Sequence, residues 1–135
     1  MKKKLNCILL VDDDHEDNFY HEIIIKKMDI TNSIQVARNG LEALDFLKKE
    51  NQVIPELIFL DVNMPKMNGW EFLEEYKNLN PNQKAKITIV MLTTSGNPDD
   101  IKKAENIADV NGYRSKPLSV EMLTEILNTH FQDYL

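Results

Sequence analysis

Aspartate residues directly follow two of the most hydrophobic segments of the chain. Residues 12–14 are all aspartate and come after the apolar run at 7–11, and Asp61 comes after the apolar run at 57–60. If these runs are buried strands, a carboxylate at the end of one is costly unless a cation pairs with it or coordinates it. An ionised carboxylate is also a nucleophile that needs no general base. Asp61 is therefore the candidate to attack phosphorus and form an acyl phosphate.

A cation must balance these carboxylates if they share one crevice. Two carboxylates ~4 Å apart repel by about 1 kcal/mol in water and about 4 kcal/mol at an effective dielectric constant of about 20. Lys116 supplies one positive charge, and oxygen ligands favour Mg²⁺ or Mn²⁺ over zinc for the remainder. His15 would suit a softer metal, although a histidine in an acidic first helical turn is more often solvated. Thr93 ends a further apolar run, and its hydroxyl can hold a phosphoryl oxygen together with Lys116.

Three short segments are hydrophobic without alternation, at 7–11, 57–60 and 87–92. Continuous hydrophobicity predicts parallel strands that helices cover on both faces. Weaker strand candidates lie at 33–37 and 111–115. The sequence therefore predicts five strands, three of which are buried on both faces.

Residues that cap helices stand at the start of the segments between the strands. They are Asn39 with Glu42, Asn68 with Glu71, Asn97 before Pro98, and Ser119. Side chains of this kind accept hydrogen bonds from the first free N–H groups of a helix. Asp14 and Asp17 are interpreted in the same way, as acidic residues that suit the start of the first helix.

The order is strand then helix, repeated five times, which predicts an α/β fold with a parallel sheet and right-handed crossovers. In the last helix, Leu118 and Leu123 are placed to form a hydrophobic staple. The residues expected to pack that helix on the sheet are Val120, Leu123, Leu127 and Phe131. Ligands bind beyond the carboxyl ends of the strands in such folds, so the strand-end aspartates, Thr93 and Lys116 are expected to meet there.

Composition limits the class of protein. The 135 residues are predicted to form a single domain, 1–135, with a core from about 5 to 133 and no output domain. The net charge of -6 argues against a nucleic-acid-binding surface. The one cysteine, Cys7, cannot form an internal disulfide and is interpreted as a small buried hydrophobe. No segment approaches the ~18 apolar residues of a membrane span, and the lysine-rich start lacks a cleavage site, so a cytoplasmic location is expected.

Short motifs at these positions occur in a fixed order along the chain. They are Leu10-Val11-Asp12-Asp13, Asn39-Gly40 with Glu42-Ala43-Leu44, Leu60-Asp61-Val62-Asn63-Met64-Pro65, Met67-Asn68-Gly69, Met91-Leu92-Thr93, and Gly112-Tyr113 with Lys116-Pro117. Together they resemble the receiver domain of two-component response regulators, and the resemblance covers essentially the whole chain. It implies a doubly wound, flavodoxin-like sheet with strand order 2-1-3-4-5 and five helices.

The resemblance also implies the roles of the site residues. Asp61 would be the phosphoacceptor. Asp13, Asp61 and the backbone carbonyl of Asn63 would bind Mg²⁺ directly, and Asp12 would act largely through water. The phosphoryl donor would be a sensor histidine kinase or a histidine phosphotransfer protein. The chain would catalyse its own phosphorylation and slow dephosphorylation rather than act as a conventional enzyme. The Lys116–Pro117 peptide bond would be cis.

A switch is implied at Thr93 and Tyr113. On phosphorylation of Asp61, Thr93 would move toward the phosphoryl group and the ring of Tyr113 would turn inward, remodelling the face of the fourth predicted helix, fifth strand and fifth predicted helix. Asn63 and Ser95 would tune the lifetime of the acyl phosphate. The output would be contact with a protein target, from a monomer or weak dimer, with no nucleic-acid or membrane partner.

Three other functions compete with this one. A degenerate receiver would serve only as a docking module and would not bind Mg²⁺. A phosphatase of the haloacid-dehalogenase type also uses a strand-end aspartate, but on its first motif and with a second aspartate two residues later, where this chain has Asn63. A flavin-mononucleotide binder would need a phosphate-cradling loop after the first strand, where residues 12–14 would repel phosphate.

Overall fold

Five parallel strands form the centre of the structure, a computed structural model that describes residues 3–49, 53–84, 86–94 and 96–132. The strands are β1 (Ile8–Val11), β2 (Ile34–Ala37), β3 (Leu57–Leu60), β4 (Thr88–Thr93) and β5 (Val110–Ser115). They pair in the order β2-β1-β3-β4-β5, all parallel, which confirms the predicted sheet and strand order. Each strand boundary lies within one residue of the predicted one.

Within the described residues, six helices connect and follow the strands. They are α1 (His15–Met28), α2 (Gly40–Lys48), α3 (Gly69–Tyr76), α4 (Pro81–Lys84), α5 (Pro98–Glu105) and α6 (Val120–His130). The expectation of five helices was wrong by one, because α4 is a single turn between α3 and β4. Asn80 caps it by accepting from the N–H of Asn82, and Gln83 accepts from the N–H of Asn80. One turn is too short to show helical periodicity in a sequence. The fourth and fifth predicted helices are α5 and α6.

The predicted helix starts are confirmed by side-chain hydrogen bonds. Asn39, Asn68, Asn97 and Ser119 each accept from a backbone N–H in the first turn of the helix that follows. Asp14 does the same for α1, accepting from the N–H groups of Glu16 and Asp17. Among these predicted caps, Asn68 forms a reciprocal capping box: its Oδ1 accepts from the N–H of Glu71, and its own N–H donates to Oε1 of Glu71. These caps fix where each helix begins relative to the strand end before it.

Hydrophobic side chains cover both faces of the sheet. One layer combines Leu9, Val11, Ile58 and Leu60 with residues of α2, α3 and α5. The opposite layer combines Ile8, Leu10, Leu57 and Phe59 with residues of α1 and α6. Successive residues of one strand therefore point to opposite layers, both of them hydrophobic, which explains why β1 and β3 are hydrophobic at every position.

The predicted packing of α6 holds with one exception. Leu118 and Leu123 are fully buried, and Leu127 and Phe131 lie in the same core layer. Val120 is 44% exposed, so its assignment to the core was wrong. It is the first residue of α6. No helix in the described part of the chain combines the length and the apolar character that crossing a membrane requires.

Candidate functional site

The carboxyl ends of β1 and β3 bring three carboxylates together. Asp12 and Asp13 follow β1, Asp61 follows β3, and one oxygen from each lies within 4.8 Å of the others. Asp12 and Asp61 are buried, whereas Asp13 is exposed. The clustering that the sequence predicted is therefore present, at the edge of the sheet where strand ends meet.

Backbone hydrogen bonds hold the two buried carboxylates at this edge. The N–H of Asp12 donates to the carbonyl of Ala37 at 2.9 Å, and the N–H of Asp61 donates to the carbonyl of Val11 at 2.9 Å. Each bond continues the ladder of the sheet by one residue beyond the strand. The side chains are thus positioned by the rigid sheet rather than by a mobile loop.

Lys116 reaches into this cluster from the end of β5. Its Nζ lies 2.5 Å from Oδ2 of Asp12, 2.8 Å from Oδ2 of Asp17 and 3.3 Å from Oδ2 of Asp61. Its backbone N–H donates to the carbonyl of Thr93 at 3.0 Å, and the Lys116–Pro117 bond is cis, as expected. One buried ammonium therefore faces three carboxylates from three different elements.

Burial and ion pairing have opposite effects on the pKa of Asp12, and also on the pKa of Lys116. Burial raises the pKa of Asp12 to about 6, although the hydrogen bond from Lys116 opposes it, and the nearby charge of Asp61 adds to the rise. Burial lowers the pKa of Lys116, but the hydrogen bonds to Asp12 and Asp17 outweigh it and the net shift is upward. Near neutral pH Asp12 is therefore mostly ionised beside a protonated Lys116.

The loop between β3 and α3 fixes the orientation of Asp61. Its Oδ1 accepts from the N–H of Val62 at 2.8 Å, and the carbonyl of Val62 accepts from the N–H of Gly69 at 2.8 Å. A Cβ on Gly69 would lie 2.4 Å from the carbonyl oxygen of Asp61, so only glycine allows this close approach. The carbonyl of Met67 accepts from the N–H of Gly40, which ties the same loop to α2.

Some of the other predicted site residues line the cleft above the carboxylates, and others are buried or half-buried in the neighbouring strands. Asn63 and Thr94 line the open cleft above the carboxylates, together with His15 on the rim. Thr93 ends β4 and is fully buried. Tyr113 is half-buried in β5, beside Met91 of β4. Ser95 lies outside the described residues.

Helix α1 contributes residues that the sequence did not single out for the site. Asp17, assigned only to the helix start, also pairs with Lys116. Asn18 donates from Nδ2 to the carbonyl of Asp12 at 2.8 Å, and His21 accepts at Nε2 from the N–H of Leu118 at 3.3 Å. Asn18 and His21 are buried. Polar residues one and four positions after Asp17, on the inward face of a helix, are the signal that could have revealed them.

The oxygen-only donor set suits a hard divalent cation. Asp12, Asp13 and Asp61 offer carboxylate oxygens within one small space, and the exposed Asp13 leaves this space open to solvent. Such ligands match Mg²⁺ or Mn²⁺ better than zinc, which takes nitrogen and sulfur more readily. The acidic cluster is therefore compatible with binding Mg²⁺.

A model of the response regulator receiver domain matches residues 8–128. The chain belongs to this family. It is 37% identical over 124 residues to response regulator Rcp1 of Synechocystis sp., covering 89% of this chain and 82% of Rcp1. Receiver domains are signalling modules of two-component systems rather than conventional enzymes, they bind a divalent metal at an acidic pocket, and they interact with histidine kinases or phosphotransfer proteins.

Solved structures of receiver proteins superpose over nearly the whole chain. A two-component response regulator from Cytophaga hutchinsonii is 31% identical with a TM-score of 0.84, covering 96% of this chain and 99% of that one. The Mn²⁺-bound form of Rcp1 is 36% identical with a TM-score of 0.74, covering 92% and 90%. The phosphorylated cyanobacterial phytochrome response regulator RcpA is 33% identical with a TM-score of 0.74, covering 92% and 89%. The fold of this chain is that of a receiver domain.

Proposed function

We propose that the chain is a phosphoacceptor of a two-component phosphorelay and that Asp61 receives the phosphoryl group. The observation that carries this proposal is the Asp61 carboxylate itself. It is buried at the end of β3, lies 3.3 Å from Nζ of Lys116, and shares a 4.8 Å cluster with Asp12 and Asp13. Burying a carboxylate is costly to the fold, and costly buried charges of this kind are concentrated at functional sites.

The donor in this proposal is a phosphohistidine of a sensor histidine kinase or a histidine phosphotransfer protein. A carboxylate oxygen of Asp61 attacks phosphorus, an oxygen–phosphorus bond forms, and the phosphorus–nitrogen bond to the imidazole breaks. The hydrogen bond from Val62 to Oδ1 holds the carboxylate in one orientation during this attack. Lys116 and the hydroxyl of Thr93 then bind oxygens of the transferred group.

Mg²⁺ is the cation we propose for the acidic cluster. Asp13, Asp61 and the carbonyl of Asn63 would hold it directly, and Asp12 would act largely through water. A divalent ion at this position neutralises negative charge as it develops on the phosphoryl oxygens. The Mn²⁺-bound form of Rcp1 supports a divalent ion here, and the phosphorylated form of RcpA supports phosphorylation of this chain.

In this proposal, phosphorylation remodels the face formed by α5, β5 and α6, and this face contacts the protein target. Thr93 at the end of β4 lies next to Ser115 of β5 in the strand register, and Met91 lies next to Tyr113. Because β4 and β5 are directly paired, a movement of Thr93 toward the phosphoryl group can be transmitted to Tyr113. Asn63, on the rim of the cleft, and Ser95 are proposed to tune the lifetime of the acyl phosphate.

Trp70 offers the first test, because it is the second residue of α3, directly after the Asp61 loop. We expect Mg²⁺ and then acetyl phosphate each to change its fluorescence, and mass spectrometry to find one phosphoryl adduct. Asp61→Asn should abolish the donor response and the adduct. Asp45→Asn, which removes an exposed carboxylate on α2, is the matched control and should behave as the wild type. A wild-type protein that forms no adduct with Mg²⁺ present would reject the proposal in favour of a docking module.

A further inference from the structure

The ammonium group of Lys116 is shared among three carboxylates that differ in their exposure to solvent. The side chains of Asp12 and Asp61 are 6% and 9% exposed, whereas that of Asp17 is 38% exposed. An ammonium has three N–H donors. With one carboxylate oxygen within 3.3 Å for each donor, the donors of Lys116 are fully engaged by these three partners.

We propose that Asp17 is a positioning residue that competes with the phosphoryl group for Lys116. This inference rests on the proposed function of Asp61 as phosphoacceptor. Phosphorylation converts the Asp61 carboxylate into an uncharged acyl group and brings charged phosphoryl oxygens to a lysine that Asp12 and Asp17 still hold. Lys116 turns fully to the phosphoryl group by giving up one of these two remaining carboxylates, and that carboxylate is Asp17.

The difference in burial decides which carboxylate is released. Separating a buried ion pair leaves an uncompensated charge in a poorly solvated place, which is strongly unfavourable. Separating a partly exposed pair is far less costly, because water replaces the lost partner.

Local structure keeps Asp17 stable after release. It lies in the first turn of α1, where the helix dipole favours a negative charge. Its backbone N–H donates to Oδ1 of Asp14, so the start of the helix stays capped without Lys116. Lys116 therefore has two states, bound to α1 before phosphorylation and free of it afterwards.

The test measures the affinity for beryllofluoride, a phosphoryl analogue, in the presence of Mg²⁺, with Trp70 fluorescence as the readout. Asp17→Asn removes the competing charge and keeps the shape of the side chain. We expect about two- to fivefold tighter binding, the size of effect that a partly exposed ion pair produces. A merely structural role for Asp17 predicts the opposite change, because a loosened site binds more weakly.

Glu16→Gln is the matched control. Glu16 is an exposed acidic residue in the same turn, and it lines the same cleft, but it is not among the described ion-pair partners of Lys116. Its substitution measures the general effect of removing one negative charge from the rim. Asp17→Ala provides a second variant with the same charge change, and thermal unfolding checks that each variant is folded.

The inference stands if both Asp17 variants bind beryllofluoride more tightly than Glu16→Gln does. It is overturned if their gain equals that of Glu16→Gln, or if they bind no better than the wild type. Wild-type protein that binds no beryllofluoride would instead reject the proposed function of Asp61. The two failures are therefore distinguished in one set of titrations.

Discussion

The backbone N–H of Leu118 donates a hydrogen bond to Nε2 of His21 at 3.3 Å, joining the segment that carries Lys116 to the middle of α1. Both residues are buried. Since Nε2 accepts this bond, the imidazole is neutral and carries its proton on Nδ1. Burial lowers the pKa of His21, the positive charge of Lys116 lowers it further, and the charges of Asp17 and Asp61 partly oppose this.

Acid should weaken the fold through His21. A histidine whose pKa is lower in the folded state than in the unfolded state contributes stability that is complete above about pH 6.5 and is lost as the pH falls. We expect the free energy of unfolding, measured with urea, to drop between about pH 7.5 and about pH 5.5, and to drop less in His21→Gln. His130, whose pKa is also lowered, and Asp12 titrate in both proteins and cancel in the comparison. An equal drop in the free energy of unfolding of both proteins would show that His21 is not a source of the acid-induced loss of stability.

Metal affinity should depend on pH through Asp12. Its pKa of about 6 means that a proton competes with the cation once the pH falls below that value. The affinity for Mg²⁺ should therefore be nearly constant above about pH 7 and fall by up to about tenfold per pH unit below 6. Titration of Trp70 fluorescence with Mg²⁺ at several pH values measures this. Asp12→Asn should bind Mg²⁺ more weakly and lose the pH dependence near 6, and a wild-type affinity that stays constant down to pH 5 would refute the role of Asp12.

The strand-end residues of the site could be predicted from the sequence for a simple geometric reason. A hydrophobic run fixes where a strand ends, and parallel strands place their carboxyl ends at one edge of the sheet. Asp12 and Asp61 each follow such a run, and Lys116 follows the weaker strand candidate at 111–115, so their meeting follows from the strand pattern without knowledge of any loop. The motif resemblance then added the order of the strands and the expected roles.

The contacts of α1 could not be predicted in this way. Asp17 and Lys116 are 99 residues apart in the sequence, and their contact depends on how α1 is rotated relative to the end of β5. The same applies to His21 and Leu118, which are 97 residues apart. Rotation of a helix on a sheet is decided by side-chain packing, and α1 exposes large apolar residues such as Phe19 and Ile23 that blur its amphipathic pattern.

Removing the cap of α3 should destabilise the protein more than removing the cap of α4. Asn68 begins the helix that follows the Asp61 loop, and its capping box satisfies hydrogen-bond groups at that helix start. Asn68→Ala should lower the free energy of unfolding by about 1 kcal/mol. Asn80→Ala removes a similar cap from α4, a single turn in which no residue is buried, and should cost less. Urea unfolding of the two variants compares them directly, and an equal or reversed cost would show that the capping box contributes little here.

Alanine at Gly69 should disturb the acceptor site although alanine favours helices. Helix propensity alone predicts that Gly69→Ala gains up to about 1 kcal/mol of stability. The added Cβ would instead lie 2.4 Å from the carbonyl oxygen of Asp61 and 3.1 Å from Cα of Val62, both backbone atoms that cannot rotate away. We expect a net loss of about 1–3 kcal/mol, as in other overpacked sites, together with weaker Mg²⁺ binding because Asp61 is displaced. Gly96→Ala, where the added atom meets nothing within 4 Å, is the control for the loss of glycine flexibility. Urea unfolding and Mg²⁺ titration compare the two variants. If Gly69→Ala is as stable as Gly96→Ala and binds Mg²⁺ as tightly, then the close approach of α3 to Asp61 does not position the carboxylate.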